Sequence, residues 1–486
     1  MKSYNKLYKI GLALVVILGV SCSDQLEVEP QQSVSTDAAF ETLNDFENAV
    51  IGLYSGLQDG AYYGRNFPSL MDASSDNGNI PDGAGARLTV YYTLELNPTN
   101  TTVSNWTQAY NVIGRANQII NRIDDIEGDQ AQKDQLKAEA LFVRALCHFD
   151  IMRIYAHDYN FTSDQSHLGV PYVTTNEIGT PARDVTSTVF TNIMDDLNTA
   201  ETLMSNATSA GANRSSTMAV VGLRARVNLY MGDYTNALAD ANEVINTGGY
   251  TLGSYTAGTT IDGDGNTNNV IDEWATGTPR SEDILVIFAN NTNDTNYPGL
   301  EGLASIYNRV DGYGDLGPSD DIVAQYDPAD IRNLWYRNIG GVNFVNKYPG
   351  NDGNTRFFNY PVLRLSEMIL IQAECLARDG QNTAAQNAIN LITARANAPA
   401  ITSTGNALIN DILAERRREL AFEGHRYGDI KRLQMDIDRG SGCTLTNGNC
   451  VIPYGDKLFA WPIPQEETDA NPNMQQDALW TAFLGG

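Results

Sequence analysis

Positive charge is scarce in this sequence. Its 486 residues include 32 Lys and Arg against 59 Asp and Glu, which gives a formal net charge of −27. A surface with so much excess negative charge repels phosphate backbones and anionic lipid headgroups. The composition therefore argues against a nucleic-acid-binding protein and against a protein that lies flat on an anionic membrane.

Cysteine and histidine are also rare, with 5 and 4 copies. There is no CxxC pair, and the histidines show no metal-binding spacing, so zinc or redox chemistry is not supported. Nucleophile-elbow, phosphate-loop and HExxH motifs are missing too. Among the 59 Asp and Glu residues, no two can be singled out as the catalytic pair of a glycoside hydrolase. We therefore expect a protein that is not an enzyme and requires no cofactor.

An apolar run of 11 residues, 10–20, follows Lys2, Lys6 and Lys9 near the N-terminus. The run is too short to cross a bilayer, but it has the length of the apolar part of a signal peptide. Residues 1–21 are therefore predicted to be a signal peptide.

Cys22 directly follows a small residue, Ser21, at the end of this run, as in the lipobox of bacterial lipoproteins. We predict that Cys22 becomes the acylated first residue and that residues 22–35, which are polar and acidic, form a flexible tether. Gly19 departs from the lipobox pattern, since Leu is usual three residues before the cysteine. The alternative is an ordinary secretory signal with an incidental cysteine.

The other four cysteines fall into two groups. Cys147 and Cys375 lie in apolar helical stretches and are expected to be small core residues. Cys443 and Cys450 are seven residues apart in a polar loop, and in an oxidising compartment they could form a disulfide bond.

Apolar residues recur mainly at helical spacing, so the predicted fold class is mainly α. Helices are predicted over residues 36–57, 103–123, 131–155, 185–203, 217–230, 234–245, 363–377, 383–396 and 408–422. These helices form a frame over about 103–247 and 362–423 within a single domain of residues 36–486.

Three stretches lack this period, namely 59–100, 248–358 and the tail from 436. They are rich in Gly, Pro, Asn and Thr and contain short strand-like runs such as 284–288. Long irregular excursions of this kind are usually functional, and binding sites tend to lie on them. We therefore expect the ligand site on the excursions over about 59–100 and 248–358.

Two helical hairpins have similar turns. Gly232 and Tyr234 lie between two predicted helices, with Ala237 three residues after the tyrosine. Gly380 and Ala385 have the same spacing as Gly232 and Ala237. Small residues at these positions let paired helices approach closely, as in tetratricopeptide repeats. The alternative is two unrelated hairpins.

Residues 415–432 carry a dense cluster of basic side chains, which could indicate catalysis or nucleic-acid binding. Acidic residues alternate with them at helical spacing, so the charges can pair locally. We predict a structural, ion-paired helix end.

Tyrosine is the abundant aromatic residue, with 24 copies. Sugar rings stack on flat aromatic faces while neighbouring polar side chains bond their hydroxyl groups. Aromatic residues on the two excursions, with nearby polar residues, are therefore the candidate ligand-binding residues, although loop aromatics also form small satellite cores. The first set is Tyr62, Tyr63, Arg65, Asp72, Tyr91, Tyr92 and Asn97, and the second is Trp274, Tyr297, Tyr307, Tyr313 and Trp335.

One stretch has the spacing of a calcium-binding loop, in which alternate oxygen-bearing side chains surround a single cation. The candidate ligands are Asp262, Asp264, Asn266, Asn268, Asp272 and Glu273. Thr267 stands where a glycine usually makes the turn, and no flanking EF-hand helices are evident. The prediction is a structural Ca²⁺ site, and the alternative is a solvated loop.

Seven segments carry a family resemblance. They are DAAFETLNDFENAVIGLYSGL (37–57), MDASSDN (71–77), NWTQAYNVIGRANQII (105–120), AEALFVRALCHFDIMRIY (138–155), YPVLRLSEMILIQAECLAR (360–378), ERRRELAFEGHRYGDIKRL (415–433) and FAWPIPQEETDANPNMQQ (459–476). In this order and spacing, they resemble the SusD/RagB family of nutrient-binding lipoproteins over essentially the whole chain.

The resemblance implies tetratricopeptide-like helix pairs packed against an irregular region. It also implies a lipid anchor on the extracellular face of the outer membrane and a SusC-like TonB-dependent transporter as partner. The expected function is capture of oligosaccharides for import. The alternatives are a peptide-binding RagB-like protein, a secreted carbohydrate-active enzyme and a scaffold without a small ligand.

Overall fold

The computed structural model describes residues 39–101, 103–204, 212–255, 269–289, 298–310, 312–351, 354, 356–440, 443, 445 and 447–485. The predicted signal peptide, Cys22 and the tether lie outside these residues. Within them, no helix combines the length and the apolar character needed to cross a bilayer.

Helices dominate the described residues, so the predicted fold class is confirmed. The long helices are α1 (Leu43–Leu57), α4 (Val103–Arg122), α5 (Gln130–Tyr155), α6 (Thr186–Leu203), α7 (Thr217–Met231), α8 (Tyr234–Thr247), α12 (Leu365–Arg378), α13 (Asn382–Arg395) and α14 (Asn406–Glu419). The short ones are α2 (Asn66–Ala73), α3 (Thr89–Thr93), α9 (Asn269–Asp272), α10 (Leu303–Tyr307), α11 (Asp320–Ala324), α15 (Arg426–Arg432), α16 (Gln465–Ala470) and α17 (Ala478–Leu484).

The first helix begins later than predicted. We expected a start at residue 36, but α1 begins at Leu43 because Thr42 forms a capping box. The Thr42 backbone N–H donates to Asp45 Oδ2 at 2.8 Å, and the Asp45 N–H donates back to Thr42 Oγ1 at 3.4 Å. Such reciprocal bonds satisfy backbone N–H groups that the first helical turn leaves without partners.

The two helical hairpins that share a turn pattern pack side by side. Gly232 (φ +79°) ends α7 and Gly380 (φ +76°) follows α12, and this left-handed conformation favours glycine at both positions. A hydrogen bond of 2.6 Å from Gln372 to Asn242 joins α12 to α8. The predicted helix pairs are therefore neighbours in the frame.

The strands are short and pair antiparallel in four ribbons. They are β1 (Gly78–Asn79) with β3 (Gly317–Pro318), β2 (Asp283–Ile287) with β6 (Tyr360–Arg364), β4 (Tyr336–Ile339) with β5 (Val342–Val345), and β7 (Ile437–Asp438) with β8 (Val451–Ile452). The β1–β3 ribbon joins the two irregular excursions to each other. The predicted helix start at 363 was two residues early, because β6 continues to Arg364.

Helix α5 runs through the middle of the core. From Leu136 onward nearly all its side chains are buried, including polar ones. Among these, Arg144 donates two hydrogen bonds of 2.7 Å to Asp196 on α6. A buried bidentate pair of this kind fixes the register of the two helices as well as their contact.

The predicted disulfide bond is present between Cys443 and Cys450. Cys147 and Cys375 are free and buried, as expected for core residues. Burial raises the pKa of the Cys375 thiol to about 12, which keeps it protonated and unreactive.

The predicted ion-paired segment 415–432 is confirmed and lies deep in the molecule. Glu419 accepts hydrogen bonds from Arg364 at 2.7 Å and Arg332 at 2.9 Å, and it also pairs with Arg395. All four side chains are at most 4% exposed. Burial alone would raise the pKa of Glu419, but the surrounding guanidinium groups hold it well below its ordinary value.

Asp72 on α2 is a second buried acid, with different surroundings. It accepts hydrogen bonds from the Tyr307 hydroxyl at 2.7 Å and from the Gly424 N–H at 3.2 Å. Its other oxygen, Oδ1, is buried with no hydrogen-bond partner in the described part of the chain. Because burial outweighs these bonds, the pKa of Asp72 rises to about 7.

Replacing Glu419 with Gln should destabilise the fold strongly. The substitution leaves three buried guanidinium groups without their shared anion, and breaking a buried ion pair from one side costs about 3–5 kcal/mol. Urea unfolding would measure this loss, with the exposed Glu466→Gln as a charge-matched control. A loss below about 1 kcal/mol would show that Glu419 does not hold the cluster together.

Replacing Asp72 with Asn should remove a loss of stability that the wild-type protein undergoes as the pH rises toward 7. Because the folded-state pKa of Asp72 lies above that of the unfolded chain, the folded protein holds this proton longer. Wild-type stability therefore falls between about pH 4 and pH 7 relative to a variant that cannot ionise. The melting temperature of Asp72→Asn minus that of wild type should rise from pH 5 to pH 8. The corresponding free-energy difference should be on the order of 2 kcal/mol. A constant difference would contradict the shifted pKa.

Candidate functional site

Most of the predicted site aromatics belong to the interior. Tyr62 and Tyr63 are at most 2% exposed, and both hydroxyls donate to Asp150 Oδ2, at 2.8 and 2.5 Å. Their rings therefore anchor the loop before α2 to helix α5, and they cannot stack on a ligand from solvent.

The second set contains a similar correction. Tyr307 is fully buried against Asp72, while Trp274 and Trp335 enclose the Lys347 ammonium at 4.5 and 4.0 Å from their ring centres. Cation–π contact with two indole rings helps to offset the cost of burying that charge. These rings are structural, because the excursion that carries them folds over its own aromatic core.

Two further candidates from the first set serve local structure. Tyr91 stacks on Trp461, with ring centres 5.1 Å apart. The Asn97 side chain accepts the Thr99 N–H at 2.9 Å, which closes a turn. Tyr297 lies outside the described residues, so its role as a site residue stays a prediction.

A partly exposed group remains, which we call the Arg87–Tyr313 cluster. It consists of Arg65, Arg87, Glu301, Tyr313 and Asp315. The Arg87 guanidinium lies over the Tyr313 ring, 3.9 Å from its centre, and donates to Asp315 at 2.8 Å. Tyr313 donates to Glu301 at 2.6 Å, and Arg65 contacts the same carboxylate at 3.4 Å.

The fold brings this cluster together from both excursions. Arg65 is the N-cap of α2, and Arg87 lies in a short 3₁₀ turn, Ala86–Leu88. The Gly85 N–H donates to Asp315 at 2.7 Å, which fixes that turn against the residues just before β3. Gly314, with φ +58°, makes the bend between Tyr313 and Asp315.

Glu301 stays ionised at neutral pH. The hydrogen bond from Tyr313, helped by Arg87 and Arg65, lowers the pKa of Glu301. The same bond raises the pKa of Tyr313. Side-chain exposure of 36% for Arg87 and 47% for Glu301 leaves both open to a ligand. The surface therefore offers donors, acceptors and an aromatic ring, a combination that suits sugar hydroxyls and ring faces.

Arg65 and Tyr313 are thus the predicted residues that the structure brings together at the surface. Sequence analysis missed Arg87, Glu301 and Asp315. Arg87 lies within the predicted excursion 59–100, but isolated charged residues in a polar loop carry no local signal. Their contacts join positions more than 200 residues apart in the chain.

A cleft of about 380 Å³ opens beside the β1–β3 ribbon. We call it the Arg439 cleft, and its walls include Asn79, Tyr92, Asp320, Asp321, Arg439 and Cys443. Tyr92 is therefore the predicted site residue that lies in a cleft. Its ring packs under the Arg439 guanidinium at 5.1 Å.

The predicted calcium loop falls mostly outside the described residues, which leave out Asp262, Asp264, Asn266, Asn268 and the side chain of Asp272. Glu273 is partly buried next to Gly253, and burial raises its pKa. In the described part of the chain, no group of three His, Cys, Asp or Glu residues could hold a metal ion. Calcium binding by this loop stays a prediction.

Comparison with known proteins agrees with this architecture from end to end. A family model described as "SusD family" matches residues 188–480. A second, described as "Starch-binding associating with outer membrane", matches residues 24–229. Together the two matches span nearly the whole chain.

Individual relatives extend over similar lengths. "SusD-like protein P2" from Formosa agariphila is 25% identical to this chain, and the match covers 96% of this chain and 98% of the length of that protein. The crystal structure of a SusD superfamily protein from Bacteroides thetaiotaomicron has a TM-score of 0.80 at 28% identity, covering 90% of this chain and 99% of the other. A laminarin-binding SusD-like protein shares the fold, with a TM-score of 0.70 at 21% identity, covering 90% of this chain and 100% of the other. The family matches, the helical architecture and these relatives together show that the chain belongs to the SusD family.

Proposed function

We propose that this protein binds nutrient glycans at the Arg87–Tyr313 cluster and passes them, chemically unchanged, to a SusC-like TonB-dependent transporter. The observation that carries the proposal is the partly exposed Tyr313 ring, held by Arg87 and Glu301 at the junction of the two excursions. Family membership supports a glycan as ligand, because one matching family is described as starch-binding. The laminarin-binding relative with the same fold points the same way.

The composition of the cluster fits binding without chemistry. Glu301 and Asp315 are both held in hydrogen bonds to Arg or Tyr partners, and the pKa of Glu301 is lowered. A general acid for glycoside hydrolysis needs the opposite shift, toward a carboxyl group that stays protonated near neutral pH. We therefore propose a role in capture and release. Affinity on the order of micromolar to millimolar would let the ligand move on to the transporter.

The proposed location is the extracellular face of the outer membrane. Its support is the Cys22 lipobox pattern together with a family description that places starch binding in association with the outer membrane. A lipid anchor would hold the binding surface next to the transporter without a membrane-spanning helix.

Replacing Tyr313 with Ala should weaken glycan binding about two- to thirteenfold, since one aromatic contact contributes about 0.5–1.5 kcal/mol. Tyr313→Phe keeps the ring but loses the bond to Glu301, so it should retain more of the affinity. Isothermal titration with a panel of oligosaccharides, beginning with laminarin fragments, would measure both variants.

Tyr234→Ala is the matched control, because Tyr234 also has an arginine over its ring. Arg378 of α12 lies 4.6 Å from the centre of this ring, which is at the start of α8 and away from the two excursions. If Tyr313→Ala and Tyr313→Phe bound a glycan as well as the wild-type protein does, the cluster would not be the site. If peptides bound and no glycan did, the ligand class would be wrong.

Replacing Cys22 with Ser should prevent acylation, because the thioether to the lipid needs the cysteine sulfur. Metabolic labelling with a palmitate analogue should mark the wild-type protein and leave Cys22→Ser unlabelled, and the variant should no longer fractionate with outer membranes. A variant that stayed labelled and membrane-bound would place the anchor elsewhere.

A further inference from the structure

Arg439 is buried without an ionic partner. It is only 4% exposed, and within the described residues it forms no ion pair. Arg183, the other buried arginine there without an ion pair, donates to four backbone carbonyls instead. By contrast, Arg226 and Arg364 are equally buried, and each meets a carboxylate at 2.5–2.7 Å. Arg439 Nη1 donates to the Asn449 carbonyl at 2.8 Å, but Nε and Nη2 have no partner in the described chain. Buried donors without an acceptor are costly, so their presence calls for an explanation.

The two free donors form one edge of the guanidinium group. Nε and Nη2 point in nearly parallel directions, and this fork matches the two oxygens of a carboxylate or a sulfate. Tyr92 packs against the face of the same group, which leaves the edge as the part available for hydrogen bonding. Arg439 is one of the residues that line the cleft, and its Nε and Nη2 atoms lie buried within the wall.

A disulfide bond and hydrogen bonds hold the wall of the cleft in position. The disulfide bond joins Cys443, on the cleft wall, to Cys450, which directly precedes strand β8. Asn449 donates to the Thr93 carbonyl at 2.7 Å, and Asn447 donates to it at 3.0 Å. These bonds fasten the disulfide loop to the end of α3, next to Tyr92, so the guanidinium group is held in position before any ligand arrives.

The acids near the cleft are engaged with other cations or face solvent. Asp76 binds Arg426 through two hydrogen bonds of 2.7 Å, and Asp321 pairs with Arg417 at 2.8 Å. Burial lowers the pKa of Arg439 to about 10, so the group stays positively charged at neutral pH. Its charge is therefore not neutralised by a direct partner.

A larger depression of about 830 Å³ near Tyr255 does not show the same feature. Its charged lining residues, Asp330 and Arg395, are already paired in the buried cluster with Arg332 and Glu419. The Tyr255 hydroxyl and Arg395 Nε in this lining have no hydrogen-bond partner among the described residues, but both charged side chains have ionic partners, whereas Arg439 has none.

We propose that the Arg439 cleft binds the acidic group, a carboxylate or a sulfate ester, of a charged sugar residue in the glycan. The acidic group bonds to Nε and Nη2 of Arg439, while the exposed Asn79 and Asp320 at the rim bond sugar hydroxyls. This inference rests on the proposed glycan-binding function and narrows it to glycans that contain acidic residues.

The direct test uses small probes that need no other site. Sodium glucuronate, sodium sulfate and glucose would be titrated separately into the wild-type protein, with binding followed by ligand-observed NMR and by the rise in melting temperature that a ligand of the folded state causes. Glucuronate should bind and glucose should not. Sulfate that displaces glucuronate would identify a sulfate ester as an equal ligand, and sulfate that does not would restrict the site to carboxylates.

Arg439→Gln removes the charge and should weaken glucuronate binding at least tenfold. Arg356→Gln, at an exposed arginine outside the cleft, removes the same charge and should leave binding unchanged. If Arg439→Gln does not fold, Arg439→Lys keeps the charge but loses the fork, and it should weaken binding several-fold. Binding unaffected by both Arg439 variants, or no binding of either anion to wild type, would overturn the proposal.

Tyr313→Ala separates this proposal from the glycan function. It should still bind glucuronate, because Tyr313 is not part of the cleft. Neutral oligosaccharides that bind wild type and Arg439→Gln equally, together with absent glucuronate binding, would leave the glycan site intact while refuting the acidic subsite.

Discussion

The pairing of buried carboxylates with buried guanidinium groups at the end of α14 is the interaction on which the rest of the structure depends. Glu419 is shared by arginines from three other segments, and its neighbour Glu423 pairs with Lys347 and Arg364. Charges removed from water in this way are tolerated only when their hydrogen bonds are nearly complete. The excursion from 248 to 358 is thereby fastened to the helical frame.

The same segment also positions the proposed binding surface. Arg417 donates at 2.7 Å to the side chain of Asn77, the residue directly before β1, and Arg426 forms a bidentate pair with the adjacent Asp76. Strand β1 pairs with β3, and the residues just before β3 hold Arg87 through Asp315. Rigid anchoring of a loop-borne site lowers the entropy lost when a ligand binds. A strongly acidic protein can thus still present an ordered cluster at its surface.

The helices of the frame could be predicted from the sequence, whereas most contacts of the site could not, and the reason is physical. The helices were recognisable because the spacing of apolar residues is a local property, and the boundaries of α7 and α8 were correct to within two residues. The start of α1 was missed because Thr42 rather than an earlier residue caps it. The ion-paired character of 415–432 was also readable, but its partners Arg332 and Arg364 lie far away in the chain.

The sequence by itself determined the mainly helical frame, the paired hairpins with their left-handed glycines, and the two cysteines that form the disulfide bond. Only the tertiary structure decided which aromatic rings are covered. Tyr62 and Trp335 lie in polar, loop-like sequence just as Tyr313 does, yet they are buried and Tyr313 is not. Exposure is set by which distant residues pack over a ring, and no local pattern of residues records that.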